Sequence, residues 1–435
     1  MGIKKIFFLS VLLFSSSLTY SQEKAVPVPS IDTNKIGYKN TDALGGPGSV
    51  GAQLAYDNRD KESKYRSRIY MLDNWDVYKK KVSDKTGISF GISYTSLYTH
   101  SSAIKSDTNL NYSTGGVLII QSSWKLINKK KNMNLGSLVF KLNSRHAYGD
   151  ITEPFLHGFK ESGYYGSPAM GFNKASFRIM ELNWQQNFFN DKLTVVLGKV
   201  DLVNYFNFHL LIVPWQGFLG LGGSVSGTIN WPKQGLGIVS GVRFKKHFYV
   251  IGAITDVAGD GYLDGDLLDL GNKYYKGILF KGLEVGYVKS QAERLFKRVS
   301  LTYWNTDGYT TGTRTYPNGH GMAFSAHWLF KSAGLVPFVR FGIGDANGVN
   351  AFYKRDIQIG NGFQLKKQDI LGISFSNAIT KIPNSKSQST IETFYSFQFT
   401  EHMAISPDFQ FIFNPATNRN VSMLYYWAVR ARVSL

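Results

Sequence analysis

The sequence has no cysteine, only 12 prolines in 435 residues, and no apolar run long enough for a membrane-spanning helix. The absence of cysteine excludes a disulfide framework and any thiolate metal site. A spanning helix needs about 20 apolar residues, and no segment of the chain offers so long an uninterrupted run. If the chain crosses lipid, it must use strands closed into a barrel, where every backbone N–H and C=O group is paired.

The N-terminus has the pattern of an export signal. Lys4 and Lys5 precede the apolar run Ile6–Phe14. The small residues Thr19 and Ser21 lie at the −3 and −1 positions of a plausible cleavage site before Gln22. A basic start, a short apolar segment and small residues at the cleavage site are what a secretory signal requires. The sequence therefore predicts a signal peptide over residues 1–21 and a protein that leaves the cytoplasm.

The chain is basic, with a formal charge of +19 that falls to +17 when Lys4 and Lys5 leave with the signal. In a soluble secreted protein this excess could indicate nucleic-acid or heparin binding. No RNP-like aromatic strand, zinc finger or basic helix accompanies the charge, so we expect no nucleic-acid partner. Basic residues that line a pore or face lipopolysaccharide phosphates explain the charge as well.

The region before the strands is predicted to be a flexible periplasmic leader over residues 22–71. It is poor in apolar residues and contains Gly45-Gly46-Pro47-Gly48 and a charged run, Asp57–Arg68. A short helix follows, which Asp73 or Asn74 can cap and Gly87 can end. The outer-membrane barrel itself is predicted over residues 72–435.

From Ile88 onward, apolar and polar residues alternate with a period of two. Apolar positions oppose Lys141, Asn143 and Arg145 in 136–146, Ser325 and His327 in 320–330, and Arg430 and Arg432 in the last strand. This pattern is typical of strands that are apolar toward lipid and polar toward a lumen. The 31 phenylalanines and 25 tyrosines fit aromatic girdles at the two membrane interfaces.

Short turns such as 190–192 and 331–334 alternate with long loops such as 147–174 and 257–276. This alternation is expected of periplasmic turns and extracellular loops. The pattern gives about seventeen candidate strands, and because bacterial barrels have an even number, one is expected to be wrong, in 230–280 or around 353–365. The fold class predicted is an all-β transmembrane antiparallel barrel of about 16 strands with a short N-terminal helix; a soluble sandwich is the alternative.

The C-terminal third resembles the OprB-like carbohydrate-selective porins. The resemblance is carried by an acidic-aromatic strand, a Pro-Asp-containing strand, an Asn-Pro-Ala loop and an Arg-x-Arg final strand: Glu392–Tyr395, Ile405–Gln410, Asn414–Ala416 and Val429–Leu435. Weaker similarity to the family is found at Asp73–Trp75, Gly198–Asp201 and Phe338–Gly342. The resemblance therefore extends from about Leu72 to Leu435. The chain departs from the family at Asp76-Val77, where a glycine pair is usual, and at Leu435, where phenylalanine is usual.

The resemblance implies a roughly sixteen-stranded barrel in the outer membrane that passes sugars by facilitated diffusion, without energy coupling. It does not fix the sugar, and an anion-preferring or general small-solute porin is the alternative. The hypotheses from other functional classes are a barrel enzyme and an adhesin displayed at the cell surface. The partners expected are small sugars, outer-membrane lipid and lipopolysaccharide, and a homo-oligomer is left open.

Polar residues at inward positions of the strands form the predicted substrate pathway through the lumen. They are Arg145, Glu181, Asn183, Gln185, Arg340, Glu392, Gln398, Arg430 and Arg432. Guanidinium donors beside carboxylate and amide acceptors can replace the hydration shell of a sugar. The alternative is that Arg–Glu ladders brace the barrel wall, which we favour for any single residue. Trp215 and Phe218 could stack on sugar rings.

No catalytic, metal or cofactor site is predicted. The acidic loop 256–269 supplies oxygen ligands, but its spacing is not that of an EF-hand, and a solvated loop is favoured over a calcium site. The eight histidines show no paired ligand spacing. Ser325 and His327 face the same way on one strand, but no G-x-S-x-G elbow occurs, so an enzyme is not expected.

Overall fold

The structure is a computed structural model that describes residues 38, 42–59, 72, 74–105, 110–131, 133–259, 272–311, 313–348, 350–365 and 368–435. The predicted signal peptide lies outside these residues. Among the described residues, no helix is long and apolar enough to cross a membrane.

Sixteen antiparallel strands form a closed barrel, which confirms the predicted fold class. The barrel strands are β1 (Ile88–Ser101), β2 (Tyr112–Ile127), β3 (Gly136–Ala147), β4 (Ala175–Phe188), β5 (Leu193–Val200), β6 (Gly235–Phe244), β7 (Phe248–Asp256), β8 (Leu279–Val288), β9 (Lys297–Thr306), β12 (Gly319–Trp328), β13 (Leu335–Gly344), β14 (Tyr353–Gln364), β15 (Ile370–Thr380), β16 (Gln388–Gln398), β17 (Met403–Phe413) and β18 (Met423–Ser434). Two short strands, β10 (Tyr309–Thr311) and β11 (Arg314–Tyr316), form a separate hairpin.

The barrel closes because the last strand pairs with the first, with Thr95 opposite Arg432 and Leu97 opposite Arg430. Neighbouring strands pair in chain order around the whole circle, except that β9 pairs with β12 across the separate hairpin. One candidate strand was expected to be wrong in 230–280 or around 353–365. Both regions contain regular strands, namely β6 and β7 in the first and β14 in the second.

Short helices accompany the barrel in the part of the chain that the structure describes, among them α1 (Val50–Asp57), α2 (Trp75–Thr86), α3 (Pro154–Leu156) and α4 (Asn272–Tyr275). Helix α2 is the one predicted before the first strand. It ends at Gly87, whose φ of 87° places it in the left-handed region that suits glycine. Asn74 precedes the helix but makes no side-chain capping bond, and Asp73 lies outside the described residues.

The prediction of a flexible leader over 22–71 does not hold for residues 42–58. Residues 42–58 are largely buried and include helix α1, in which Val50 is 1% and Leu54 2% exposed. The prediction failed because this segment has neither strand nor amphipathic-helix periodicity, and its glycines are typical of solvent-exposed turns.

The alternation of faces predicted for the strands is confirmed by burial. In β18, Arg430 is 1% exposed whereas Val429 is 39% and Tyr425 49% exposed. Short turns such as 189–192 lie at one end of the barrel, here called the turn end, and long connections such as 148–174 and 201–234 lie at the opposite loop end. Exposed aromatic residues gather near the turn end, as a girdle requires: Trp124, Phe188, Phe189, Phe244, Phe248 and Phe330.

A closed barrel of this kind is expected to resist detergent at room temperature. We expect the purified protein to migrate faster on a detergent gel when unheated than after boiling, because the paired strands keep the folded form compact. Identical migration of heated and unheated samples, combined with recovery of the chain in the soluble periplasmic fraction, would contradict the membrane barrel.

Candidate functional site

The inner wall of the barrel has an apolar half and a polar half. Strands β5–β8 and β12 turn mainly apolar side chains and glycines inward, whereas β14–β18 and β1–β4 turn mainly serine, threonine, amide and charged side chains inward. Strand β9 is mixed, because it turns Trp304 inward together with Arg298, Ser300, Thr302 and Thr306. The buried apolar wall residues include Val196, Val239, Ile251, Ala253, Phe280, Trp304 and Ala323. The buried polar wall residues include Ser93, Thr95, Ser123, Ser374, Ser376, Thr390, Ser396 and Ser406.

The long connection between β5 and β6 folds into the lumen, and its residues 201–231 are here called the inner loop. Its aromatic and aliphatic side chains pack mainly on the apolar half of the wall, in one continuous cluster that also includes Tyr353 of β14 and Ala378 of β15. The inner-loop members of the cluster are Tyr205, Phe206, Phe208, Ile212, Val213, Leu221, Val225, Ile229 and Trp231. Because apolar surface is buried on both sides of this contact, the hydrophobic effect fixes the inner loop to that half. Its other side therefore faces the polar half.

The buried N-terminal segment, residues 42–58, is here called the strap and also lies inside the barrel. The Gly46 N–H donates to the Asn204 carbonyl at 2.5 Å, and a Cβ atom at Gly46 would lie 2.5 Å from the Phe208 ring. Glycine is therefore needed where the strap crosses the inner loop. The motif Gly45-Gly46-Pro47-Gly48, predicted to be a leader turn, is a close-packed crossing.

Arg340 is the most completely bonded of the predicted pathway residues. Its guanidinium donates to the carbonyls of Ser224 and Asn207, the latter at 3.0 Å, and to the side-chain oxygen of Gln358 at 3.1 Å. It therefore anchors the inner loop to β13 and β14. Arg340 therefore has the bracing role that was the alternative to solute contact.

Glu392 and Arg430 hold the opposite side of the inner loop. Glu392 Oε1 accepts from the N–H groups of Leu219 at 2.5 Å and Gly220 at 3.1 Å. Arg430 donates to the carbonyls of Pro214 and Gly217, the latter at 2.7 Å, and lies 3.5 Å from Asp408 Oδ2. Two carboxylates and one guanidinium are thus buried together beside residues 214–220.

Of the three predicted residues on β4, two bond to the inner loop. Glu181 Oε1 accepts from Asn204 Nδ2 at 2.8 Å and lies 3.9 Å from Lys141 Nζ. Gln185 donates to the Tyr205 hydroxyl at 3.5 Å. Asn183 donates instead to the Lys199 carbonyl on the neighbouring strand β5 at 3.1 Å.

The remaining predicted residues lie apart from this group. Arg145 donates to Asn173 Oδ1 at 2.6 Å in the long β3–β4 connection, and Gln398 donates to the Thr400 carbonyl at 2.6 Å in a short turn. Arg432 makes a bidentate pair with Asp57 of the strap, at 2.7 and 2.8 Å. All nine predicted residues are buried in the interior, but the structure does not gather them into one cluster.

A small cleft near the turn end joins the strap, the inner loop and the polar half of the wall. Its lining residues are Tyr56, Trp215, Gln216, Ser396, Gln398, His402, Ala404, Arg432 and Ser434. Trp215 donates its indole N–H to Gln53 Oε1 at 3.3 Å, which fixes the ring at the edge of the strap. Trp215, Gln398 and Arg432 were predicted from the sequence, whereas Tyr56 and Gln216 were not, because their segments show no regular period.

Phe218 and the inner-loop histidine His209 are structural. Phe218 is fully buried against Phe338 and Phe394 and is not placed to stack on a solute. His209 stacks on Phe338 at 4.1 Å and donates from Nε2 to the Gly223 carbonyl at 3.0 Å. Burial, helped by the nearby charge of Arg340, holds the pKa of His209 well below its ordinary value, so the ring is neutral.

The other side chains considered for chemistry have ordinary hydrogen-bond roles. Ser325 lies 3.4 Å from the Phe208 carbonyl, and His327 Nε2 lies 3.0 Å from the Leu295 carbonyl. Asp256, the described aspartate of the acidic loop, accepts from the N–H groups of Ala258, Lys273 and Tyr274; residues 260–269 lie outside the described part. Within the described ranges, no group of three or more histidine, aspartate or glutamate residues could hold a metal ion.

Comparison with known proteins confirms the predicted resemblance. Residues 332–435 match the family model described as "Carbohydrate-selective porin, OprB family". The structure is similar to that of OprB from Pseudomonas putida at high pH, with 13% sequence identity, a TM-score of 0.65, and coverage of 86% of this chain and 100% of that one. The low-pH structure of the same protein covers the same shares at 14% identity and a TM-score of 0.51. No curated protein matches the chain by sequence.

The family whose model matches residues 332–435 is one of porins, which are channel proteins. The family match covers the strands that carry Arg340, Glu392, Gln398, Arg430 and Arg432. The structural likeness, at 13% identity, bears on the barrel itself.

Proposed function

We infer that this chain, which carries the C-terminal sequence of the OprB-family carbohydrate-selective porins on a sixteen-stranded barrel, is a porin for the passive diffusion of carbohydrates. The observation that carries this proposal is the division of the interior. The inner loop is fixed to the apolar half of the wall, and the opposite half offers hydroxyl, amide and charged groups. A solute rich in hydroxyl groups needs such a surface, because each hydroxyl both donates and accepts.

We place the sugar pathway between the inner loop and the polar half of the wall. Small hydroxyl side chains such as Ser93, Ser396 and Ser406 line that half, and the cleft with Trp215 and Arg432 lies at its turn end. An aromatic face beside amide and guanidinium donors suits a sugar, whose ring has an apolar face and a polar edge. Contacts must stay individually weak, because a solute bound tightly would not leave the pore.

The location proposed is the bacterial outer membrane, with the turn end in the periplasm and the loop end outside. The outward faces of the strands are apolar and meet lipid, and basic residues of the long loops can meet lipopolysaccharide phosphates. Short turns on the periplasmic side and long loops on the outer side are the usual arrangement of bacterial barrels.

Liposome swelling tests the proposed function directly. We expect vesicles that contain the folded protein to swell in isotonic solutions of small sugars faster than in amino acids of similar size. Vesicles with the same protein after heat denaturation provide the control. Equal rates for both solute classes would favour the general small-solute porin, and no swelling with any solute would contradict the channel.

The charge of +17 on the chain without its signal favours a second candidate, a porin that prefers anions. In the interior, however, Arg340, Arg430 and Arg432 are already paired with carbonyl, amide or carboxylate oxygens. We therefore expect only mild anion preference in salt-gradient reversal potentials, which weakens as salt rises because charges are screened over about 10 Å at 0.1 M. Strong block of the current by phosphate, without any effect of sugars, would favour the anion porin.

A further inference from the structure

The strap lies across the turn end of the lumen and is held at both of its ends by side chains of the barrel. At its start, Arg294 of the β8–β9 connection donates to the carbonyls of Ala43 and Gly45, both at 3.1 Å, and Gln291 donates to Ala43 at 2.9 Å. At its far end, Asp57 pairs with Arg432 on the closing strand. The strap therefore bridges β8–β9 and β18.

Between these ends the strap is held largely by polar contacts. Lys141 donates to the Gly48 carbonyl at 3.0 Å, and Gln53 exchanges hydrogen bonds with Gln216 at 3.1 Å in each direction. Water can replace such partners when the strap moves away, so each bond contributes little to the net cost of opening. The inner loop differs, because its attachment buries a large apolar cluster that water cannot replace.

The buried apolar contacts of the strap are few. Val50 and Leu54 pack with Val139 and Tyr38, Leu44 belongs to the large cluster, and Gly46 lies against the Phe208 ring. The strap is thus less firmly attached than the inner loop, and elements with few buried apolar contacts open most readily. It also forms part of the cleft that holds Trp215, since Tyr56 is one of the lining residues.

We propose that the strap is a gate: it closes the turn end of the lumen in this structure and must leave the cleft for a solute to pass. The pair of Asp57 with Arg432 is the latch. This inference rests on the proposed channel function, and the strap acts on that channel without changing its selectivity, because the polar wall stays in place when the strap moves.

Single-channel recording in planar bilayers tests the latch. With Asp57→Asn, we expect the open fraction of the trace to rise by about tenfold or more. Breaking a buried charge pair lowers the equilibrium constant for closing by at least that factor. The charge-swapped variant Asp57→Arg with Arg432→Asp should return toward the native trace. Asp84→Asn on the exposed face of α2 is the matched control and should change nothing.

Thiol chemistry tests the movement itself and uses the absence of native cysteine. Ser49 is 1% exposed in the strap, and Ser49→Cys is nearly isosteric. We expect this thiol to react with a small water-soluble reagent, and to react about tenfold faster when combined with Asp57→Asn. In the double variant Asp57→Cys with Arg432→Cys, a short bifunctional thiol reagent should close a channel that is open before the reaction.

The two proposals can fail separately. If native and latch variants conduct equally and continuously while the cysteine at position 49 stays unreactive, the strap is a fixed lining and the gate is wrong. If that cysteine reacts faster in the latch variant but neither protein passes sugars into liposomes, the strap moves and the carbohydrate channel is wrong.

Discussion

Replacing Arg430 with methionine is expected to destabilise the barrel by roughly 3–5 kcal/mol, the cost of leaving buried charges without their partner. Asp408 and Glu392 would share a dry site without a cation, and residues 214 and 217 of the inner loop would lose their donor. The folded fraction in a denaturant titration, followed by tryptophan fluorescence in detergent, measures the loss.

Arg419→Met is the matched control for Arg430→Met. Arg419 is exposed and donates a hydrogen bond to the Pro383 carbonyl at 2.8 Å. We expect its replacement to leave the midpoint of the titration within about 0.5 kcal/mol of the native value. If both variants unfold at the same denaturant concentration, the buried cluster does not brace the interior.

Phe208→Ala is expected to cost about 3–5 kcal/mol and to loosen the interior, because a large aromatic side chain is removed from a filled site. Phe208 is fully buried, stacks under the Arg298 guanidinium at 3.9 Å, and lies against the strap at Gly46. The same titration measures the stability, and channel recordings should show a noisier current as the inner loop moves.

Phe189→Ala provides the comparison for the aromatic change, since Phe189 is 72% exposed at a short turn. We expect this variant to fold with native stability and an unchanged current. A Phe208→Ala protein that matches it in both measurements would show that the inner loop is not fixed by its apolar contacts.

The barrel could be predicted from the sequence because a strand buried on one face imprints a period of two on the chain. Lys141, Asn143 and Arg145 alternate with apolar neighbours, and the structure turns all three inward. The resemblance at Ile405–Gln410 and Val429–Leu435 pointed to the OprB-like porins, and residues 332–435 match the model of that family.

The strap and the partners of the polar residues could not be predicted in the same way. Neither residues 42–58 nor the inner loop has a regular period, because each contacts different surroundings at every position. The partners of Arg432 and Glu392 are 375 and 173 residues away in sequence. The glycines at 45, 46 and 48 were the available signal, but close packing and an exposed turn both favour glycine.

Single cysteines on the two halves of the wall test the central claim, that sugars move along the polar half. Ser396→Cys represents the polar half, where the native side chain lines the cleft with Trp215, and Ala253→Cys represents the apolar half. We predict that a small water-soluble thiol reagent modifies position 396, that this modification slows sugar entry into liposomes, and that excess sugar protects the thiol. Position 253 should stay unmodified beneath the inner loop. Modification and sugar protection at position 253, with none at position 396, would contradict the account.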